Sequence, residues 1–165
     1  MKWPIVFFAV SVPVFAGDAD FEAMLDDLLE GTVPQISAAE LSTKLKGEKS
    51  KRPVLLDARA DDEFNISHLA GAKLVGFRDF SVDRLAELKR DQPVVVYCSV
   101  GKRSELIGEK LREAGFTDVK NLRGGIFQWA NEKRGLVDSN GPTKTVHSYN
   151  RKWGKWLKEG VKKVR

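Results

Sequence analysis

The sequence predicts an α/β fold, a parallel sheet covered by helices on both faces, and two kinds of segment predict it. Val54-Leu55-Leu56 and the β-branched Val94-Val95-Val96-Tyr97 are short apolar runs, and Val119 to Leu122 gives another strand. Strands of continuous apolar character belong in sheets buried on both sides. Helical patterns alternate with them: Arg103 to Ala114 sets Leu106, Ile107, Leu111 and Ala114 along one face before Gly115, and Gly125 to Lys133 follows the last strand. Strand–helix alternation of this kind is the mark of an α/β domain.

The remaining elements follow in chain order. Asp20 to Glu30 reads as an amphipathic helix, with Phe21, Met24, Leu25 and Leu28 at helical spacing, and six acids and no base between residues 18 and 30. Val33 to Ile36 suits an edge strand, where Pro34 is tolerated. Ser37 and Glu40 stand three apart as a capping box for a helix to about Lys46, and Gly47 to Pro53 is a polar loop. After the Val54 strand, Asp61 to Phe64 suits a helical turn, Gly71 to Phe77 an extended segment and Val82 to Leu88 a helix. Trp153, Trp156, Leu157 and Val164 are expected to share a face of a C-terminal helix, against which Gly154 and Gly160 count.

Residues 1–16 have the layout of a secretory leader: a basic start at Lys2, an apolar stretch from Pro4 to Phe15, and Val14-Phe15-Ala16 as the cleavage site. An uncleaved anchor fits less well, because Pro13 interrupts the stretch and Asp18 and Asp20 follow at once. The expectation is an exported protein, periplasmic in a Gram-negative bacterium. The expected organisation is then leader 1–16, acidic helix 17–32, main domain 33–137 and basic extension 138–165. The net charge of +5 divides unevenly. Residues 144–165 carry eight bases against Glu159, whereas residues 17–143 carry nineteen bases against twenty-two acids. A mildly acidic body with a basic tail is not the profile of a nucleic-acid-binding domain. The tail either packs on the domain, close to the acidic helix, or binds anionic lipid or an acidic partner; packing is the preferred reading.

The single cysteine, Cys98, cannot form an internal disulfide. It stands at the carboxyl end of the strand Val94–Tyr97, the edge of a parallel sheet where ligands bind. Ser99-Val100-Gly101-Lys102-Arg103-Ser104 then joins strand to helix. Gly101 permits a tight loop whose backbone N–H groups turn towards the sulfur. The helix N-terminus and the charges of Lys102 and Arg103 favour thiolate over thiol. A buried structural cysteine would not be followed by Ser, Gly, Lys and Arg, so Cys98 is read as a nucleophile beside an anion site.

Four linked motifs then carry a resemblance. Leu55-Leu56-Asp57-Ala58-Arg59; Asp62-Glu63-Phe64 with His68-Leu69-Ala70-Gly71-Ala72; Tyr97-Cys98 with Gly101 and Arg103-Ser104; and Asn121-Leu122-Arg123-Gly124-Gly125-Ile126 with Trp129 resemble, in order and spacing, the signatures of rhodanese domains. The resemblance covers residues 33 to 137, and its one departure is Ser67 where the family usually has glycine, for which a local backbone change is expected. It implies a five-stranded, mainly parallel sheet with helices on both faces, flanked here by N- and C-terminal helical extensions, and a sulfurtransferase activity. Cys98 would take sulfane sulfur from thiosulfate, polysulfide or a persulfide, hold it as a persulfide, and pass it to a thiol, a protein thiol or cyanide. Ser99 to Ser104 would stabilise the persulfide and bind the donor, with Lys102 and Arg103 holding an oxyanion. Asp57 and Arg59 would brace that loop. His68 is read as structural, and no metal or cofactor is implied. Two other readings stand beside this one. A non-enzymatic sulfur relay or interaction module would act bound to a partner protein. A cysteine phosphatase or arsenate reductase is disfavoured by only four residues between Cys98 and Arg103 and by the lack of a second cysteine.

Overall fold

The computed structural model of the chain describes residues 16–159 and 161–164. The leader expected over residues 1–16 therefore lies, apart from Ala16, outside the described residues. The sheet is five-stranded and wholly parallel. It is built from β1 (Gln35–Ile36), β2 (Val54–Asp57), β3 (Lys73–Leu74), β4 (Val94–Tyr97) and β5 (Val119–Leu122), in the order β1-β5-β4-β2-β3. The longest apolar run, β4, is central and the proline-preceded β1 is an edge. The helices are α1 (Ala16–Leu28), α2 (Ala38–Lys46), α3 (Asp61–Ile66), α4 (Lys102–Glu113) and α5 (Gly125–Asn131). Ser37 and Glu40 form the expected capping box on α2.

Side-chain alternation along the strands divides the interior into two cores. Leu55, Val95, Tyr97 and Leu122 face α1, α2 and α5, with Phe21, Leu25, Leu41, Ile126 and Phe127 packed against them. Leu56, Val94, Val96 and Cys98 face the other way, onto Ile107 and Leu111 of α4. The period of two thus carries Cys98 to the α4 side of the sheet.

Two helical expectations are corrected. Val82 to Leu88 forms only a 3-10 turn, Val82–Leu85, because Leu85 alone is fully buried there and one anchor holds little more than one turn. The C-terminal extension is not a long helix. A hairpin of β6 (Leu136–Asp138) and β7 (Gly141–Thr143) carries the chain across the boundary expected at residue 138. β8 (Thr145–His147) then pairs in parallel with β9 (Lys162–Val164), and α6 (Arg151–Gly154) between them is a single turn capped by Asn150. The β-branched Thr145, Val146 and Val164 fit strands better than helix. Gly154 packs so closely on Ser148 that a Cβ there would sit 3.1 Å from the Ser148 Cβ.

Of the two fates considered for the charged ends, packing together is the one the fold adopts. The rings of Phe21 and Trp156 lie 5.6 Å apart, Lys158 pairs with Asp18, and Asn131 of α5 bonds the backbone of Trp156 and Lys158. Arg123, following β5, ties α1 to the sheet through Glu22 and Asp26. Among the described residues, no helix is long and apolar enough to cross a membrane.

Candidate active site

Cys98 leaves β4 with its carbonyl held from behind. The N–H of Ile126 bonds the Cys98 carbonyl at 2.9 Å and that of Phe127 bonds the Ser99 carbonyl at 3.1 Å, so the start of α5 docks on the cysteine loop. Gly125 makes the approach possible: its φ is +52°, and a Cβ would lie 2.3 Å from the Cys98 oxygen. The Gly101 carbonyl accepts from Asn121 Nδ2 and from the Glu105 N–H, each at 3.0 Å, while the Ser104 hydroxyl donates to Asn121 Oδ1 at 2.7 Å. With the carbonyls tied away, the loop can turn an N–H inward. Gly101, at φ +121°, donates its N–H to Cys98 Sγ at 3.2 Å, and Ser104 Oγ lies 3.5 Å from the sulfur.

The expected cradle of successive N–H groups is thus narrower. Among the described residues, one backbone N–H and one hydroxyl are within hydrogen-bond reach of the sulfur. Ser99, Val100, Gly101 and Ser104 are all buried with Cys98, which is only 2% exposed.

The charged members behave differently from the sequence expectation. Arg103 does not stand free for an oxyanion. Its fork grips Glu63 at 2.7 and 2.8 Å, its Nη2 also donates to Ser99 Oγ at 2.9 Å, and the Tyr149 ring lies 5.2 Å from the guanidinium carbon. Burial would lower its pKa, but the Glu63 hydrogen bond and the charges of Cys98, Glu63 and Tyr149 outweigh this and raise it. Glu63 is itself buried. Burial alone would raise its carboxyl pKa, yet the hydrogen bond and charge of Arg103, the Ala60 N–H and the charge of Arg59 hold it below the usual range. Lys102 is paired with Glu30 at 2.6 Å and lies 3.8 Å from the buried carboxylate of Glu105. That carboxylate also takes the N–H groups of Glu30, Gly31 and Thr32, pinning the chain after α1 against α4.

Among the described residues, Asp57 and Arg59 make no hydrogen bond to Ser99–Ser104. They form a fully buried pair at 2.7 Å, and Arg59 goes on to donate to the carbonyls of Glu63 and Ser67. What they brace is α3 and its exit, and they meet the site at Glu63 and at Tyr97, next to Cys98. Their short separation, two residues, lets Arg59 fold back on Asp57 before it can extend across the sheet. Ser67 takes an extended backbone, φ −174°, that any residue adopts; its hydroxyl is a buried polar atom without a partner among the described residues. His68 stacks on Phe64 and its Nδ1 lies 3.0 Å from the Phe64 carbonyl, a structural arrangement. Among the described residues, no cluster of three or more His, Cys, Asp or Glu is placed to hold a metal ion.

Sequence reasoning assigned no role to Glu63, Glu105, Asn121 or Gly125. Asn121 had only a weak signal, a polar residue inside a short strand that also holds Lys120, and it is fully buried. Glu63 had none beyond its place in a motif, since its partner Arg103 is forty residues away. A cleft of about 750 Å3 opens beside the Arg103–Glu63 pair, walled by Leu74, Val75, Phe77 and Arg78 on one side and by His147 and Tyr149 of the extension on the other.

Residues 37–132 match the family described as the Rhodanese-like domain. The chain is 35% identical over 86 residues to the probable adenylyltransferase/sulfurtransferase MoeZ of Mycobacterium tuberculosis, covering 52% of this chain and 22% of that protein. It is 37% identical over 103 residues to the tRNA uridine(34) hydroxylase of Listeria monocytogenes, covering 59% and 31%. The chain therefore spans less than a third of the length of either relative. Among solved structures, it resembles the thiosulfate sulfurtransferase of Pseudomonas aeruginosa with a TM-score of 0.60 at 26% identity, over 83% of this chain and 26% of that one. The polysulfide-sulfur transferase of Wolinella succinogenes gives a TM-score of 0.56 at 27% identity, over 74% and 90%. With a family match across more than half its length, and a five-stranded parallel sheet shared with solved members, this chain belongs to the rhodanese-like domain family.

Proposed function

We propose that the protein is a sulfurtransferase that carries sulfane sulfur as a persulfide on Cys98. The observation that carries this reading is the sulfur itself, at the N-terminus of α4 with the Gly101 N–H directed at it and the Ser104 hydroxyl 3.5 Å away. A helix N-terminus and an inward N–H suit the negative charge in which a persulfide ends. The thiolate attacks the outer sulfur of a donor, thiosulfate, polysulfide or a persulfide. A Cys98 S–S bond forms, the donor's bond to that sulfur breaks, and the leaving group departs with the electron pair. An acceptor thiolate, or cyanide, then attacks the outer sulfur and restores the Cys98 thiolate. The likeness to two solved proteins named as thiosulfate and polysulfide transferases supports this chemistry. The commitment of Arg103 to Glu63 supports it over phosphoryl transfer, which needs a free arginine fork on the phosphate. Export to an extracytoplasmic compartment is proposed from the leader-like residues 1–16.

The test is intact mass of the protein after incubation with each donor, with Cys98→Ala alongside. A gain of about 32 Da, one sulfur atom, reversed by cyanide or dithiothreitol and absent from Cys98→Ala, is the expected result. No gain from thiosulfate, polysulfide or a small-molecule persulfide would overturn the reading.

A further inference from the structure

Every cation near the cysteine loop already has a carboxylate. Arg103 grips the buried Glu63 with two of its donors, and Lys102 bonds Glu30 and lies close to the buried Glu105. Arg59, behind them, is consumed by Asp57. Lys102 is thus matched by Glu30 and Glu105, and Arg103 by Glu63. Of the neutral donors, the Gly101 N–H is spent on the sulfur and the Ser104 hydroxyl on Asn121 Oδ1 at 2.7 Å. Arg78 on the cleft wall has no carboxylate within ion-pair distance among the described residues, but it is exposed and its field is screened by salt.

A site so compensated offers no landing place to an inorganic anion. A dianion approaching it finds no unpaired buried cation and must desolvate without gaining one. The adjoining cleft, with Leu74, Val75 and Phe77 in its wall, offers apolar contact that an organic body can use and an inorganic ion cannot.

We infer that Glu63, with Glu30 as a weaker partner, sets donor specificity: the site discriminates against inorganic dianions such as thiosulfate and takes its sulfur from the persulfide of an organic thiol. This rests on the persulfide reading of Cys98. The Cys98 thiolate attacks the terminal sulfur of RS–SH, a Cys98–S–SH bond forms, the RS–S bond breaks, and RS− leaves with the electron pair. No oxidant or reductant is needed. Glu63 acts through Arg103 and is a positioning residue.

The test is the ratio of Cys98 sulfur-loading rates from thiosulfate and from 2-hydroxyethyl hydropersulfide generated in situ, read by intact mass across donor concentrations. The ratio cancels differences in the amount of folded protein and in thiolate content. Glu63→Gln keeps an acceptor for Ser99 and Arg103 but frees the guanidinium charge. It should shift the ratio towards thiosulfate by about tenfold, seen as a lower thiosulfate KM. Glu30→Gln, at an exposed site where folding is not at risk, should shift it about two- to threefold the same way, and less at high salt. Ratios unchanged in both variants would overturn the inference while leaving the persulfide reading intact. Should Glu63→Gln fail to fold, the Glu30→Gln ratio decides alone. Failure of both donors to load the wild-type protein would overturn this inference, and the persulfide reading would fall with it only if polysulfide also failed.

Discussion

The loops that follow β2 and β4 leave neighbouring parallel strands side by side, Asp57 opposite Tyr97, and come to opposite ends. After β2, the arginine arrives two residues beyond the strand. Arg59 closes on Asp57 and on the carbonyls of Glu63 and Ser67, and every group involved is buried. After β4, the arginine is delayed to residue 103. The loop has turned into α4 by then, its carbonyls have been claimed by Ile126, Phe127 and Asn121, and a sulfur is left at the centre. One edge of one sheet therefore yields a closed brace or a reactive centre. Which of the two it yields depends on where the carbonyls are satisfied and how far away the first cation lies.

Arg59→Met is the strongest way to break the comparison. It leaves Asp57 buried without a counter-charge and two carbonyls without donors, so about 3–5 kcal/mol of stability should be lost, measured by urea unfolding. Arg59→Lys should recover only part, because an ammonium cannot reproduce the bidentate grip. If Arg59→Met unfolds like the wild type, the β2 loop is no brace.

Gly125→Ala probes the β4 loop instead. A Cβ at that position would overlap the Cys98 and Ser99 backbone, at a left-handed φ. A stability loss of about 2–4 kcal/mol is expected. Sulfur loading of the protein that remains folded should fall with it, because the start of α5 must draw back from the two carbonyls that orient the loop. Gly135→Ala, in open space, should do neither and serves as the control.

The smallest effect is expected from acid. Because Glu63 is held below its ordinary value in the fold, its contribution to stability is complete above the unfolded value near 4.5 and is lost as pH falls through the depressed folded value. Unfolding midpoints measured from pH 6 down to pH 3 should therefore decline less steeply in Glu63→Gln than in the wild type. Parallel slopes would show that the Glu63–Arg103 pair contributes nothing to the fold.

Local pattern and tertiary context divided the information unevenly. The strands, the capping box on α2, the edge position of β1 and the place of Cys98 at the end of β4 were all legible, because each rests on neighbours within a few residues: apolar runs, a Ser–Glu spacing, a proline, a Gly-rich loop. The C-terminal extension was not. Its apolar residues satisfy a helical period loosely, and only the pairing of Thr145–His147 with Lys162–Val164, together with the docking of Trp156 on Phe21, selects strands and a single turn.

In the site, the sequence determined the nucleophile candidate, the tight loop and the two cations beside it. Tertiary structure alone decided what those cations do. Lys102 and Arg103 read as free charges because the carboxylates that take them, Glu30 and Glu63, lie more than thirty residues away along the chain. A charge in a sequence has a sign but no partner. The partner is set by which loops the sheet order brings to the same edge, and here that order turns an apparent anion trap into a nearly compensated shell around one sulfur.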